Sequence, residues 1–252
     1  MGDLGSIVRG GGTSWTAHDA GTTSRLSDVW GSAANDVWAV GERGMILHFD
    51  GSSWTGSDPG AITDPLFAIH GSAADDIWAT GAHGFLVRWS GGPSWTVVSS
   101  GTTHDLRGVF SRSRSDAWAV GHGGTILRWD GTAWSGVASP SRDYLRGVWL
   151  ADDTSGRIVG YWGTLLEWDG ATWSAVASGV DEHLWGIWGF SPEDIWTVWS
   201  LGSLHWDASG TTRYVMSDFE NPLLGLAGSA PDDLWIVGSR GTISHWDGEE
   251  WT

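Results

Sequence analysis

Apolar residues along this chain come in short runs of about five positions, broken by glycine and aspartate, and the pattern of runs recurs four at a time. Leu26 to Gly31, Asp36 to Gly41, Met45 to Asp50 and the stretch from Trp54 onward form the first such group. Runs this short and this punctuated predict β-strands joined by tight turns, and no stretch sustains the 3.6-residue period of a helix. Groups open at Leu26, Leu66, Leu106, Leu145, Leu184 and Leu223, in steps of 40, 40, 39, 39 and 39 residues. A fixed period near 40 with four short strands per unit predicts an all-β fold, a six-bladed β-propeller of four-stranded antiparallel blades, with residues 1–252 as a single domain.

The register leaves a remainder. Gly2 to Thr16 aligns without gaps on Gly41 to Thr55, so a surplus half repeat, the partial unit 1–25, precedes the first full one. Propellers close by pairing strands from both termini, which predicts that Trp15 to His18 lies beside Thr242 to Asp247 as an outer strand. The remaining segment, Ser6 to Arg9, is left to cap the ring, to pair with another molecule in self-association, or to stand as the remnant of a longer array.

Tryptophan writes the repeat. Of 22 tryptophans, 19 sit at repeat positions, among them Trp38, Trp78, Trp118, Trp196 and Trp235 on the second strand and Trp54, Trp95, Trp134, Trp173 and Trp251 at the start of the fourth. Each buried indole removes roughly 150–250 Å² from water, so these are read as filler between blades.

Composition narrows the partners. The 252 residues carry a formal net charge of -17, with 13 arginines, no lysine and no cysteine. Such a surface repels phosphate backbones and anionic membranes, which argues against nucleic acid and polybasic attachment. The absence of cysteine removes disulfides, thiol nucleophiles and cysteine-based zinc sites. No apolar run approaches a membrane span and no signal peptide is evident, so no membrane insertion is expected.

The turn into the fourth strand reads Asp50-Gly51-Ser52-Ser53-Trp54, Asp130-Gly131-Thr132-Ala133-Trp134, Asp169-Gly170-Ala171-Thr172-Trp173 and Asp247-Gly248-Glu249-Glu250-Trp251. Aspartate binds nearby amides, glycine takes positive φ and tryptophan anchors the next strand. These turns resemble the Asp-box of sialidase-like propellers, and the whole unit resembles repeats of photosystem II assembly-factor-type propellers. With Val37-Trp38, Gly44, Ile46 and His48 it equally resembles the tectonin repeat of tectonin-type lectins. These resemblances imply a structural role for the turn and a binding module on a bacterial, extracellular or cell-surface protein.

Chemistry is sparse. Sialidase-type hydrolysis requires an arginine cluster, a tyrosine nucleophile with a glutamate partner and an aspartic acid/base. This chain has three tyrosines, Tyr144, Tyr161 and Tyr214, and no catalytic spacing, although Arg107 and Arg146 occupy equivalent places beside the channel. No enzymatic activity, metal or cofactor is expected. The acidic pairs between first and second strands, Asn35-Asp36, Asp75-Asp76, Asp152-Asp153, Glu193-Asp194 and Asp232-Asp233, are read as Asx turns. His48, His205 and His245 share a third-strand position with Arg88, Arg128 and Glu167 and are read as solvated surface.

Function is expected where the repeat breaks, because the scaffold does not require those residues. Trp162, Trp185 and Trp199 are off-pattern, and propeller topology places all three near the junction of blades four and five, with Arg142-Asp143-Tyr144, Tyr161 and Asp181-Glu182-His183 close by. Exposed rings beside carboxylates and arginine suit a sugar. The expected function is therefore a non-catalytic, lectin-like module for a glycan or surface polysaccharide. Tyr161, Trp162, Trp185 and Trp199 would stack, while Arg142, Asp143, Tyr144, Glu182 and His183 would supply polar contacts. The alternative is a protein-interaction or assembly scaffold, which predicts a broad apolar patch instead of a pocket.

Overall fold

The computed structural model describes residues 5–11, 14–57, 63–216 and 222–252. Its fold is a six-bladed β-propeller. Blade one comprises Leu26–Ala33, Asp36–Gly41, Ile46–Phe49 and Trp54–Ser57, within two residues of the sequence expectation. Three-residue 3-10 turns such as Glu42–Gly44 and Tyr161–Gly163 join the second and third strands of five blades. Five blades have four strands. The sixth has three, Leu223–Ala230, Asp233–Gly238 and Ile243–Trp246, and its fourth is reduced to the bridge between Trp246 and Trp251.

The chain forms two compact units divided inside blade three, Met1–Ala119 with Leu127–Val137 and Val120–Ile126 with Ala138–Thr252. In the first unit the N-terminal half repeat folds on itself, Ile7–Gly11 pairing antiparallel with Ser14–His18. This corrects the expected closure. His18 meets Phe49 edge-on at 5.7 Å and the Arg9 guanidinium lies 5.4 Å from the same ring, so the hairpin packs on blade one. In the second unit, His245 exchanges two main-chain hydrogen bonds of 2.8 Å with Thr252, so the chain's own last residue supplies that edge.

Blades pack through one recurring contact. The second-strand indole of one blade meets the third- and fourth-strand indoles of the next: Trp38 lies 5.0 Å from Trp89 and 5.4 Å from Trp95, Trp78 lies 4.9 and 5.0 Å from Trp129 and Trp134, and Trp196 lies 5.2 and 5.7 Å from Trp246 and Trp251. Tilted and edge-on rings at these separations gain quadrupolar attraction on top of burial. Trp15 is the exception among the repeat tryptophans, 40% exposed on the N-terminal hairpin.

The third-strand histidines and arginines are not free surface. His48 bonds Asp36 at 2.7 Å and stacks on Trp38, with ring centroids 4.1 Å apart; His205 repeats this with Asp194 and Trp196, and His245 with Asp233 and Trp235. Arg88 and Arg128 bind Asp76 and Asp116 and lie over Trp78 and Trp118. The aspartate that opens the second strand therefore orients a cation or imidazole over the blade's central indole. It is not merely an Asx turn: Asp36 also accepts hydrogen bonds from the Ser32 hydroxyl and the Trp38 indole.

Blade four exchanges every member of this network. Ser155 replaces the aspartate, Arg157 the tryptophan and Glu167 the cation. Arg157 and Glu167 face each other across the strand pair with a 2.8 Å ion pair, and the guanidinium covers Trp206 of blade five at 5.0 Å. The contact to the next blade survives with a cation in place of the indole.

The fourth-strand turns behave as their sequence predicts. The Asp50 carboxylate accepts the Ser52 and Ser53 amides at 2.8 and 2.9 Å, and Asp130 does the same with Thr132 and Ala133. Those hydroxyl and amide donors hold both acids well below the usual carboxylate range, at about 2.

Candidate functional site

The site residues lie in the second unit, on turns whose geometry follows from a glycine. In blade four Gly160 ends the second strand where a Cβ would come within 2.4 Å of the Tyr144 carbonyl, and the next amide, of Tyr161, bonds that carbonyl at 2.9 Å. This close approach fastens the second-to-third-strand turn to the segment entering the first strand. The turn then passes through a left-handed residue, which is Trp162 at φ 56°; Arg43, His83, Gly123 and Arg240 hold the same conformation elsewhere. A bulky residue there is strained by roughly 1 kcal/mol relative to glycine.

Every main-chain amide of this turn is engaged. Trp162 donates to Nδ1 of His183 at 3.1 Å, Gly163 to the Glu182 carbonyl at 2.7 Å and Thr164 to the Tyr161 carbonyl at 3.0 Å. The same link joins His83 to Asp105 in the first unit, so His183 takes the place of an aspartate acceptor. Accepting at Nδ1 places the proton of the neutral imidazole on Nε2.

Rings connect the rest. His122 meets Tyr144 edge-on at 4.1 Å, Tyr144 lies 5.3 Å from Tyr161, and Tyr161 stacks on His183 at 4.0 Å with planes 8° apart. His183 then contacts Trp162 at 4.4 Å and Trp185 at 5.9 Å, and Arg146 covers Trp185 at 4.9 Å. Trp162 is 69% exposed, Tyr144 44%, while Tyr161 and Trp185 are half-buried. Trp185 packs inward against Val198, Leu223 and Ile236, and its indole N–H reaches the Ser200 hydroxyl at 3.5 Å.

Trp199 does not join them. It is buried at 1% exposure, beneath the Arg213 guanidinium at 4.9 Å, and has no face for a ligand. Asp194 to Asp207 spans one residue fewer than the equivalent Asp36 to Asp50, so blade five lacks the left-handed turn. A two-residue hairpin joins its strands with Trp199 opposite Gly202, and the position freed of the glycine constraint fills with an indole.

Of the polar residues, Asp143 accepts the Ser141 and Thr164 hydroxyls at 2.9 and 3.0 Å, and Glu182 faces Arg213 at 3.6 Å. Arg142 is exposed with no partner among the described residues.

The structure adds residues that pattern reading passed over. Leu201 and Val215, 51% and 60% exposed, border the blade-five hairpin, where Met216 bonds the Leu201 carbonyl. Leu224, at the register position of Trp185, is also exposed, and the neighbouring Leu223 amide bonds the Ser200 carbonyl. All three are exposed apolar side chains on blades five and six, the blades that follow the Tyr144, Trp162 and Trp185 ring group in the second unit. A separate cavity of about 540 Å³ lies in the first unit, lined by His83, Phe85, Val97 and Thr103 among others.

No family model matches the sequence, and no curated protein matches it. Solved structures share the fold. YCF48 bound to D1 peptide superposes with a TM-score of 0.77 at 18% identity, covering 97% of this chain and 86% of that one. YCF48 from Cyanidioschyzon merolae gives 0.70 at 16%, covering 90% and 84%, and streptogramin B lyase gives 0.71 at 13%, covering 89% and 83%.

Proposed function

We propose that this chain is a non-catalytic binding module whose second unit docks a polypeptide partner on the surface formed by Tyr144, Trp162, Trp185, Leu201, Val215 and Leu224. The observation that carries the reading is Trp162. It is a large indole, 69% exposed, at a left-handed turn position that holds Gly123, Arg43, His83 and Arg240 in other blades, so the fold does not require an aromatic there. Large exposed apolar side chains recur in this unit at Tyr144, Trp162, Leu201, Val215 and Leu224, and clustered apolar exposure marks interaction sites in soluble proteins. A polypeptide partner is supported by a fold relative that binds a peptide, YCF48 with D1 peptide. Streptogramin B lyase shares the fold too, so the fold alone does not decide between binding and catalysis.

The expected sugar site is the weaker reading. Trp199, one of the four expected stacking rings, is buried, Trp185 is half-buried and packed on the core, and Oδ2 of Asp143 already accepts the Ser141 and Thr164 hydroxyls. Selection from a displayed random-peptide library, run beside a glycan array, tests the choice. Recovered peptides that compete for one site support the reading; binding only to glycans overturns it.

A further inference from the structure

The N-terminal hairpin of the first unit is the outer half of a blade, and its register repeats that of the third and fourth strands of blade one residue for residue. Ile7 faces His18 and Arg9 faces Thr16, as Ile46 faces Ser57 and His48 faces Thr55. The hairpin also sits where a blade preceding blade one would sit. Gly5, left-handed at φ 68°, lies so close to the Thr22 carbonyl that a Cβ would come within 2.1 Å, and Gly84 and Gly163 approach Thr102 and Val180, at the entry to the next blade, in the same way. The Arg9 guanidinium lies 5.4 Å from the Phe49 ring, as Arg88 of blade two lies 5.4 Å from Trp129 of blade three.

Missing from this half blade is a second strand. Between blades one and two, Trp38 and Val40 of the second strand pack with Ile69, Ile77 and Trp95, all buried. In front of blade one, Ile7 fills the place of Ile46, against Leu26, Ala39 and Leu47. The counterparts of Ile69, Ile77 and Trp95 stay open there: Val29 is 46% exposed against 3% for Ile69, and Val37 and Trp54 are half-buried. Among the described residues Ile7–Gly11 pairs only with Ser14–His18. Arg9 stands at the register position of His245, whose amide bonds the outer strand, so alternation along the strand turns the Val8 and Gly10 amides to the unpaired edge.

We propose that this edge, with the adjoining face of Val29, Val37 and Trp54, docks a β-hairpin of a partner polypeptide that carries the chain's own inner-strand pattern, an apolar strand returning as Asp-x-Trp-x-x-Gly. The site lies in the first unit and does not rest on the Trp162 surface. Laid antiparallel on Ile7–Gly11 in the register that sets Trp38 opposite His48, the partner's indole stands opposite Arg9 and covers Trp54. Its aspartate takes the Arg9 guanidinium as Asp76 takes Arg88. A lone strand would leave Val29 uncovered, because first strands of neighbouring blades meet at that position, where Asp28 accepts the Ile69 amide at 2.8 Å. A second copy of this chain has no such hairpin to spare, since each of its six blades pairs its own first and second strands.

A peptide of residues 105–121, the blade-three hairpin with Asp116 and Trp118, tests the proposal when titrated against the full chain beside its scrambled sequence and its Trp118→Ala form. The hairpin peptide is expected to bind, to lose about tenfold or more in affinity on Trp118→Ala, and to slow hydrogen exchange at the Val8 and Gly10 amides by about tenfold or more. Val29→Glu in the full chain, a change at an exposed position, should weaken binding by a similar factor. A second peptide, residues 25–41 of blade one, should protect the same two amides. Binding of neither hairpin, equal binding of the scrambled sequence, or protection that spares Val8 and Gly10 overturns the proposal. So does a dimer of the chain alone in sedimentation that Val29→Glu dissociates, which would make a second copy the occupant.

Discussion

Nδ1 of His183 accepts the main-chain N–H of Trp162 while the His183 ring stacks on Tyr161 and meets the edge of the Trp162 indole. One side chain therefore fixes both the backbone and the ring of the most exposed tryptophan in the second unit. The link is the aromatic counterpart of Asp105 with His83, where a carboxylate holds the same amide.

That equivalence predicts a separable pair of variants. His183→Asp should keep the acceptor and leave the Trp162 amide protected from hydrogen exchange. His183→Leu should remove it, and exchange at Trp162 should rise by about tenfold, the loss of roughly one hydrogen bond. Equal protection in both would show that the imidazole does not hold the turn.

Trp162→Gly should cost the fold little. Relief of left-handed strain is worth roughly 1 kcal/mol, against roughly 0.5–1.5 kcal/mol for the lost contact with His183. Denaturant unfolding is expected to show a net change within about 1 kcal/mol. A loss of several kcal/mol would make Trp162 a structural residue.

Blade four offers a test of the packing network. Glu167→Arg leaves two guanidinium groups facing each other and should destabilise by more than about 1 kcal/mol. Adding Arg157→Trp restores the pairing seen at Trp78 with Arg88, and the double variant should recover most of that loss. Additive losses in a double-mutant cycle would show that the exchange is incidental.

Two half-buried groups of the first unit titrate in opposition. Asp28 accepts the Ile69 amide and is pushed up to about 6 by burial, while His70 accepts the Ser111 amide and is pushed down to about 4, also by burial. An acid raised by folding binds more protons folded than unfolded, so its contribution falls as pH rises from about 4 to 6. A histidine lowered by folding binds fewer, so its contribution rises as pH goes from about 4 to 6.5. The two slopes oppose across pH 4–6. His70→Gln should therefore expose a stability that falls with rising pH over that window, and Asp28→Asn one that rises; parallel profiles for both variants would contradict the assignment.

The blade was legible in the sequence because each strand is short and each tryptophan recurs in register, so Trp38, Trp78 and Trp196 announce the same contact. What one dimension concealed was pairing across strands. His48, Arg88 and Glu167 look interchangeable until strand register sets Glu167 opposite Arg157 and His48 opposite Trp38. Trp199 looked like a ligand platform because it breaks the repeat. The one-residue deletion beside it, which buries it, was equally present in the sequence and was the better signal. Tyr161, Trp162, His183 and Trp185 break the repeat and lie in ring contact, whereas Leu201, Val215 and Leu224 carry no motif and emerge only from their exposure.

The most direct test compares the same backbone change at two turns. Peptides selected on the full chain are titrated against Trp162→Gly and against Arg43→Gly, which alters the equivalent left-handed position in blade one. The surface assigned here predicts a loss of about tenfold or more with the first variant and wild-type affinity with the second. Undiminished binding to Trp162→Gly, or equal losses in both, would contradict it.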